Sequence, residues 1–434
     1  MLIILSDNLQ IVLEDTEPIH RKRHHVIINA KMKILICGGG NGAHCFTALA
    51  SACQNVEVNV LTIYKDEAER WTDALKSSEL IVSISKPDGS VTETHSKPSL
   101  VTKDPQVAVD GVHIIFIVVP AYVHQFYLQV LSPYIKPNTL IVGLPGHAGF
   151  ELQCLHMLHR ESRKCAIVGF ESLPWACRII EYGKRVQLLG FKDILHASFL
   201  LGANCNLQFP AIETIQSILG PIPSIKVAAN VLAVALMTGS IMHPPIMYGK
   251  WKNWDKTPLD VKPLFYQGVD EEQANIATSL SDEVVKTAKQ IQEMCPDLDM
   301  SDVVHLSDWF KAHYQDGIAD NSSLMMSMRT NRAYEGLVHP MKALDNGYVP
   351  DFAYRYTTED VPFGLVVLKG LAVIAGVATP TMDKIIQWAQ SIIGKEYIIG
   401  TDLVGKDVKF SRAPQSFGLN TLEQVQDFIS SHIC

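Results

Sequence analysis

Two groups of residues in this chain have the types and spacing that do chemistry. The first is Gly38-Gly39-Gly40-Asn41-Gly42-Ala43, which fits G-x-G-x-x-A. An apolar strand pattern at 33–37 precedes it and a helical pattern at 43–53 follows. Strand, glycines, helix is the order of a dinucleotide site. Gly38 permits the tight turn, and Gly40 removes a Cβ that would block a pyrophosphate. Ala43 lets the helix lie close to the strand. Asn41 and Gly42 sit at the helix start, where free N–H groups face phosphates. A buried strand pattern at 112–119 ends at Val119-Pro120, where a nicotinamide loop would sit. The second strand, 56–63, ends in Thr62-Ile63-Tyr64-Lys65 and lacks the acid expected to hold the adenosine ribose. Asp66 comes late, and Lys65 or Arg70 could face a 2′-phosphate. The fingerprint alone leaves NAD and NADP open.

The second group lies in the other half. His243, in SIMHPPIMYGKW, closes an apolar helical pattern ahead of two prolines. A helix-end histidine capping carbonyls is the plainer reading. YRYTTEDVPFG packs Arg355, Glu359 and Asp360 ahead of a helix at 364–377 that is apolar almost all round. Such charge clusters are usually solvated loops. Beside a buried helix start, however, an acid can pair with a histidine and an arginine can grip a carboxylate. His339, in another His-Pro, reads as structural.

The elements that must position these residues fall into two halves. The chain has 434 residues, 47% hydrophobic and 19% charged, enough for two ordinary domains. A net charge of −8 with no basic block argues against a nucleic-acid partner. Nine scattered cysteines with no C-x-x-C pair read as free thiols in a reducing compartment, and the remaining histidines support no metal site. The apolar stretches 112–120 and 227–242 read as buried core rather than membrane spans, the second because it carries Asn230, Thr238 and Ser240. Strand 56–63, helix 66–76, a β-hairpin within 80–101 turning at Pro87-Asp88-Gly89, and strand 139–143 complete a Rossmann-type α/β domain at 32–228. Beyond the Pro-rich GPIPS stretch the periods are helical, giving an all-α domain at 229–434. LFYQGVD, 264–270, leads into one helix and 302–314 forms another. Residues 1–31 read as a leader outside the fold, being neither a good secretory signal nor a mitochondrial presequence.

The motifs KILICGGGNGAH, DEAERW, VTKDPQ, VGLPGHAGFE, FESLPWACRI, MHPPIMYGKW, LFYQGVD, GLVHPMKALD, YRYTTEDVPFG, GVATPTMDK and IIGKEYI occur in order from Met32 to about Leu422. As a set they resemble the opine dehydrogenases of marine invertebrates, the octopine dehydrogenase type. The resemblance implies NADH, a 2-oxo acid (usually pyruvate) and an amino acid as substrates, with an N-(1-carboxyalkyl) amino acid as product. It implies reoxidation of NADH in anaerobic glycolysis by a cytoplasmic monomer or dimer with small-molecule partners only. It places the catalytic histidine on His243, its partner aspartate on Asp360 and the substrate-carboxylate arginine on Arg355. Substrate contacts fall on His147, Ser172, Met237 and Gly239. Arginine-using members carry Gln at His147, Thr at Ser172 and Tyr at Gly239. That pattern points to another amine, such as alanine, glycine, β-alanine or taurine. The competing expectations are a simple 2-oxo acid or ketopantoate-type reductase and a non-catalytic NAD(H)-binding protein. Since the match begins at Met32, that residue is the expected start of the enzyme fold.

Overall fold

A computed structural model describes residues 31–85, 90–237 and 239–433, with 85, 159 and 160 by backbone alone. It also gives the backbone of three short antiparallel strands, Ile3–Ser6, Leu9–Leu13 and His24–Ile28. The rest of the expected leader, the Pro87-Asp88-Gly89 turn and Thr238 lie outside the described residues.

The first half is built on a seven-stranded sheet. Its strands in chain order are β1 (Met32–Cys37), β2 (Val56–Leu61), β3 (Leu100–Thr102), β4 (Ile114–Ile117), β5 (Leu140–Gly143), β6 (Ala166–Gly169) and β7 (Leu200–Leu201). Their spatial order is β7-β6-β5-β4-β1-β2-β3, with the strand order reversing beside β1. All neighbours are parallel except β6 and β7. Ile34 to Cys37 register against Ile114 to Ile117, and all eight residues are buried. Such unbroken apolar runs follow from covering a parallel sheet on both faces. The covering helices include α1 (Asn41–Ser51), α2 (Glu67–Ser77), α3 (Ala121–Leu131) and α4 (Phe150–Leu158). The hairpin expected at 80–101 is Leu80–Ser85 with Val91–Ser96. It joins Trp175–Glu181 and Arg185–Phe191 in a separate four-stranded sheet.

The second half is mainly helical: α5 (His243–Trp251), α6 (Glu271–Met294), α7 (Leu306–His313), α8 (Val366–Ile374), α9 (Pro380–Ile393) and α10 (Leu422–Ile433). A two-stranded hairpin, Met341–Leu344 with Gly347–Pro350, interrupts the expected all-helical pattern. The apolar stretch 227–242 is not one helix. It divides into Val231–Leu236 and a tight turn at Gly239–Ile241, and α5 then opens at His243. Pro244 and Pro245 occupy the first turn, where a missing N–H and a fixed φ cost nothing. His243 therefore begins a helix, and the sequence reading that it closes one is corrected. Residues Val231–Trp251 are long and apolar enough by composition to cross a membrane, but 82% of that window is buried inside the protein.

One continuous core runs from Leu35, Ile115 and Ile141 of the sheet to Leu280, Leu365 and Ile385 of the helical half. The chain end also returns to the first half. Ala203 N–H donates to His432 O (3.0 Å) and Arg163 Nη1 to Ser431 O (2.6 Å). Arg412, fully buried, donates to Gly146 O at 3.0 Å.

Candidate functional site

The glycine turn packs flush against the end of β4. Gly38 has φ +128°, and a Cβ there would lie 2.5 Å from Val118 O, so only glycine fits. At Gly40 a Cβ would meet nothing within 4 Å. Gly40 thus leaves open space directly ahead of the α1 N-terminus, as a pyrophosphate requires. Gly42 passes Val118 and Leu173 closely, and Ala43 is buried. The Asn41 side chain is engaged elsewhere: its Oδ1 accepts from Ile179 N–H at 2.8 Å, which ties α1 to the four-stranded sheet. That contact uses only the side-chain oxygen, so both the backbone N–H and the side-chain amide N–H groups of Asn41 can still donate to a phosphate. Val119 O accepts from His124 Nε2 (2.9 Å), and Pro120 caps α3.

An acid from α2, rather than from the end of β2, stands beside the glycine turn. Glu67 accepts from the Thr62 hydroxyl, and its carboxylate lies beside Gly39, where an added Cβ would fall 2.0 Å from Glu67 Oε2. Lys65 is exposed, while Arg70 pairs with Asp66 at 3.1 Å and lies over the Tyr182 ring at 4.2 Å. Sequence reasoning missed Glu67 because the motif looks for its acid at the strand end, not five residues on.

In the helical half, His243 Nδ1 lies 2.6 Å from Asp360 Oδ2, and Nε2 lies 2.7 Å from the Tyr266 hydroxyl. The Tyr356 ring stacks on the imidazole at 3.9 Å. Asp360 is placed by a break in regular helix. The short helix Arg355–Thr358 runs into one wide turn, Val361–Leu365, in which Leu365 N–H reaches back to Asp360 O (2.9 Å). Wide turns of this kind are rare and concentrate at functional sites. Gly364 lets the turn press against Ser240, since any Cβ there would collide with the Ser240 side chain. The segment carrying Asp360 is thereby fixed to the one leading into His243.

Arg355 Nη1 stands 3.8 Å from Glu359 Oε2, and its guanidinium lies over the Tyr356 ring at 5.7 Å. Burial works against its charge, but Glu359 and Asp360 hold the group firmly protonated. With 42% of its side chain exposed, it keeps donors free for a ligand. Glu359, noted in the sequence but given no role there, accepts from Ala121 N–H at the start of α3 (2.7 Å). It also lies 3.1 Å from His147 Nε2. Burial would push its carboxyl up, yet His147, Arg355 and that N–H hold it below the usual range. His147 itself sits at φ +60°, on the loop after β5.

Ser172 Oγ is buried with no hydrogen-bond partner among the described residues. Its neighbour Glu171 is saturated. It accepts from His196 N–H (3.0 Å) and Trp309 Nε1 (2.9 Å), and lies 3.1 Å from His196 Nδ1 and 2.7 Å from His313 Nε2. Met237 and Gly239 line a cavity of about 10 Å³ with Leu236, Ile241, Met242, Val304, Leu306 and Trp309. No charged side chain lines it, and a Cβ on Gly239 would meet nothing within 4 Å. The structure therefore groups His243, Asp360 and Arg355 with Tyr266 and Tyr356. It links His147 to them through Glu359, and sets Met237 and Gly239 beside Met242.

Residues 227–393 match the family model for the NAD/NADP octopine/nopaline dehydrogenase alpha-helical domain. Over 91% of its length the chain is 48% identical to an opine dehydrogenase of Haliotis discus hannai, covering 98% of that protein. The chain belongs to the opine dehydrogenase family. Octopine dehydrogenase of Pecten maximus is 44% identical over 91% of this chain and 98% of its own. A solved octopine dehydrogenase with NADH and L-arginine superposes with a TM-score of 0.83 at 45% identity, covering 91% of this chain and 97% of that one. An opine dehydrogenase is an NAD-dependent oxidoreductase acting on CH–NH bonds. The sheet, the glycine turn and the helical half described above are the parts such an enzyme requires.

Proposed function

We propose that this opine dehydrogenase condenses pyruvate with a small amino acid or taurine, and that His243, Asp360 and Arg355 carry the reaction. The observation that carries the reading is the His243–Asp360 pair at 2.6 Å beside a partly exposed Arg355.

The neutral amine attacks the keto carbon and gives a carbinolamine, which must lose water. Loss of water needs a proton donor, and histidine, with an ordinary pKa of about 6.5, suits neutral pH. Asp360 fixes the ring by accepting from Nδ1, so Nε2 is the nitrogen that exchanges protons. Arg355 grips the keto-acid carboxylate and sets the carbon's position. Gly38, Gly40 and the α1 N-terminus hold the dinucleotide, with Glu67 on its ribose hydroxyls. Bound NADH supplies the hydride that reduces the iminium.

Two features support a small amine. The resemblance puts a tyrosine at Gly239 in arginine-using members, whereas here a Cβ on Gly239 would meet nothing within 4 Å, so the space ahead of it is open. Glu171, the nearby acid, is taken up by four nitrogens, so it is poorly placed to meet a guanidinium. We place the reaction in the cytoplasm, reoxidising NADH during anaerobic glycolysis. Eight unpaired cysteines among the described residues support a reducing compartment.

The test is NADH oxidation with pyruvate against a panel of alanine, glycine, β-alanine, taurine and arginine. We expect amine-dependent turnover with the highest kcat/KM for one of the small amines. Turnover with pyruvate alone would mark a simple keto-acid reductase. A best rate with arginine would overturn the pocket argument.

A further inference from the structure

The catalytic imidazole has two partners in line, and only one of them is in the reading above. Tyr266 OH sits 2.7 Å from His243 Nε2, the nitrogen left for proton exchange once Asp360 has taken Nδ1. We propose that Tyr266 is the third member of the acid–base relay, a positioning residue that holds His243 Nε2 and governs when its proton is released. The inference rests on the assignment of His243.

The phenol is fixed for this task. Tyr266 stacks on Tyr334 at 3.8 Å and 15°, and Tyr334 OH donates to Tyr314 OH at 3.1 Å. Phe265 meets the Tyr266 ring edge-on at 4.8 Å and lies 5.9 Å from the imidazole. Tyr266 cannot leave Nε2 by rotation without breaking this stack. The groups facing the pair are Asp360, Tyr356 with Arg355 on its ring, Tyr334, Tyr314 and, behind Phe265, His339. Burial and the neighbouring tyrosines raise the Tyr266 phenol well above its ordinary value, so it stays neutral and retains both a donor and an acceptor.

A neutral hydroxyl can serve both states of the histidine. When Nε2 is bare, the phenol O–H donates to it. When Nε2 carries a proton, the phenol oxygen accepts that N–H until a substrate oxygen competes for it. As the carbinolamine C–O bond breaks, the proton moves from Nε2 to the departing oxygen and water leaves. The phenol O–H then swings back onto the bare nitrogen. The net proton count of Tyr266 is unchanged.

Tyr266→Phe keeps the ring and the stack and removes only the hydroxyl. We expect kcat to fall about tenfold or more. The limb of the pH–rate profile governed by the acid–base group should move, while the KM for NADH and the thermal midpoint stay near those of the parent. An unchanged kcat, or a reduced kcat with the profile in place, would leave Tyr266 a packing residue and overturn the inference. Should Tyr266→Phe fold poorly, fluorotyrosines of graded acidity at the same position replace it. The inference requires the pH limb to follow the phenol's acidity, and no dependence overturns it. His243→Ala separates the two levels. If His243→Ala still turns over, the underlying assignment has failed; if it is inactive while Tyr266→Phe behaves as the parent, only the relay has.

Discussion

At the scale of residues, side-chain identity takes meaning from a partner that sequence spacing does not reveal. His243, Arg355 and Asp360 stood out as chemically able types, and the family resemblance assigned their roles. Tyr266 did not stand out, Glu359 was noted without a role, and Glu67 was passed over. Their partners are His243, Ala121 with His147, and Gly39 with Thr62, and all of these except Thr62 are brought close only by the fold. His243→Ala should lower turnover by about 10²- to 10⁴-fold, the usual share of a general acid–base group. NADH binding, followed by quenching of tryptophan fluorescence, should persist. Turnover near that of the parent would remove His243 from the reaction. Gly239→Tyr should refill the open space beside Met237 and lower kcat/KM for small amines about tenfold or more, since a misplaced side chain disturbs substrate orientation. The amine panel measures this directly, and unchanged preferences would place the amine elsewhere.

At the scale of elements, strands 33–37, 56–63, 112–119 and 139–143 were legible because both-face burial writes continuous apolar runs, while Ala166–Gly169, Trp175–Glu181, Arg185–Phe191, Leu200–Leu201 and the sheet order were not. The paired prolines after His243 were misread. They were taken to end a helix, whereas proline is equally at home in a first turn, and only the preceding Gly239–Ile241 break decides between the two. The wide turn at Val361–Leu365 was also invisible, because its cause is the close approach of Gly364 to Ser240 across the fold. These elements are locked to the nucleotide half by Glu359, whose carboxylate faces the positive end of α3. Glu359→Gln removes that charge and weakens the hold on His147. At about 1 kcal/mol for a carboxylate at a helix N-terminus, NADH binding should weaken roughly fivefold. A dissociation constant equal to the parent's would show that the contact does not organise the cofactor loop.

At the scale of the whole molecule, the order of a nucleotide-binding half followed by a helical half was readable. The return of α10 to the first half was not, since its partners Arg163 and Ala203 lie far back in the chain. Buried titratable groups between and within the halves set the response to acid. Burial would raise the Glu171 carboxyl, but His313 and His196 drive it well below 4.5. Burial lowers His339 to about 3 and His44 to about 4 from 6.5. In all three the folded value is depressed, so the stability each contributes is present above its unfolded value and lost as pH falls through the interval below it. The thermal midpoint should therefore decline from about pH 6.5 downward as the histidines are challenged, and more steeply below about 4.5. Glu171→Gln should flatten the steeper part; an equal slope in that variant would assign acid sensitivity to other groups.

The returning chain end has a mechanical consequence. The polypeptide crosses between the halves near residue 228 and again after the Arg412 segment, before α10 settles beside Arg163 and Ala203. A body tethered at a single point can swing in every direction. One held at two separated points turns only about the line that joins them. Were one half to turn against the other, the two crossings would confine it to a door-like rotation about that line.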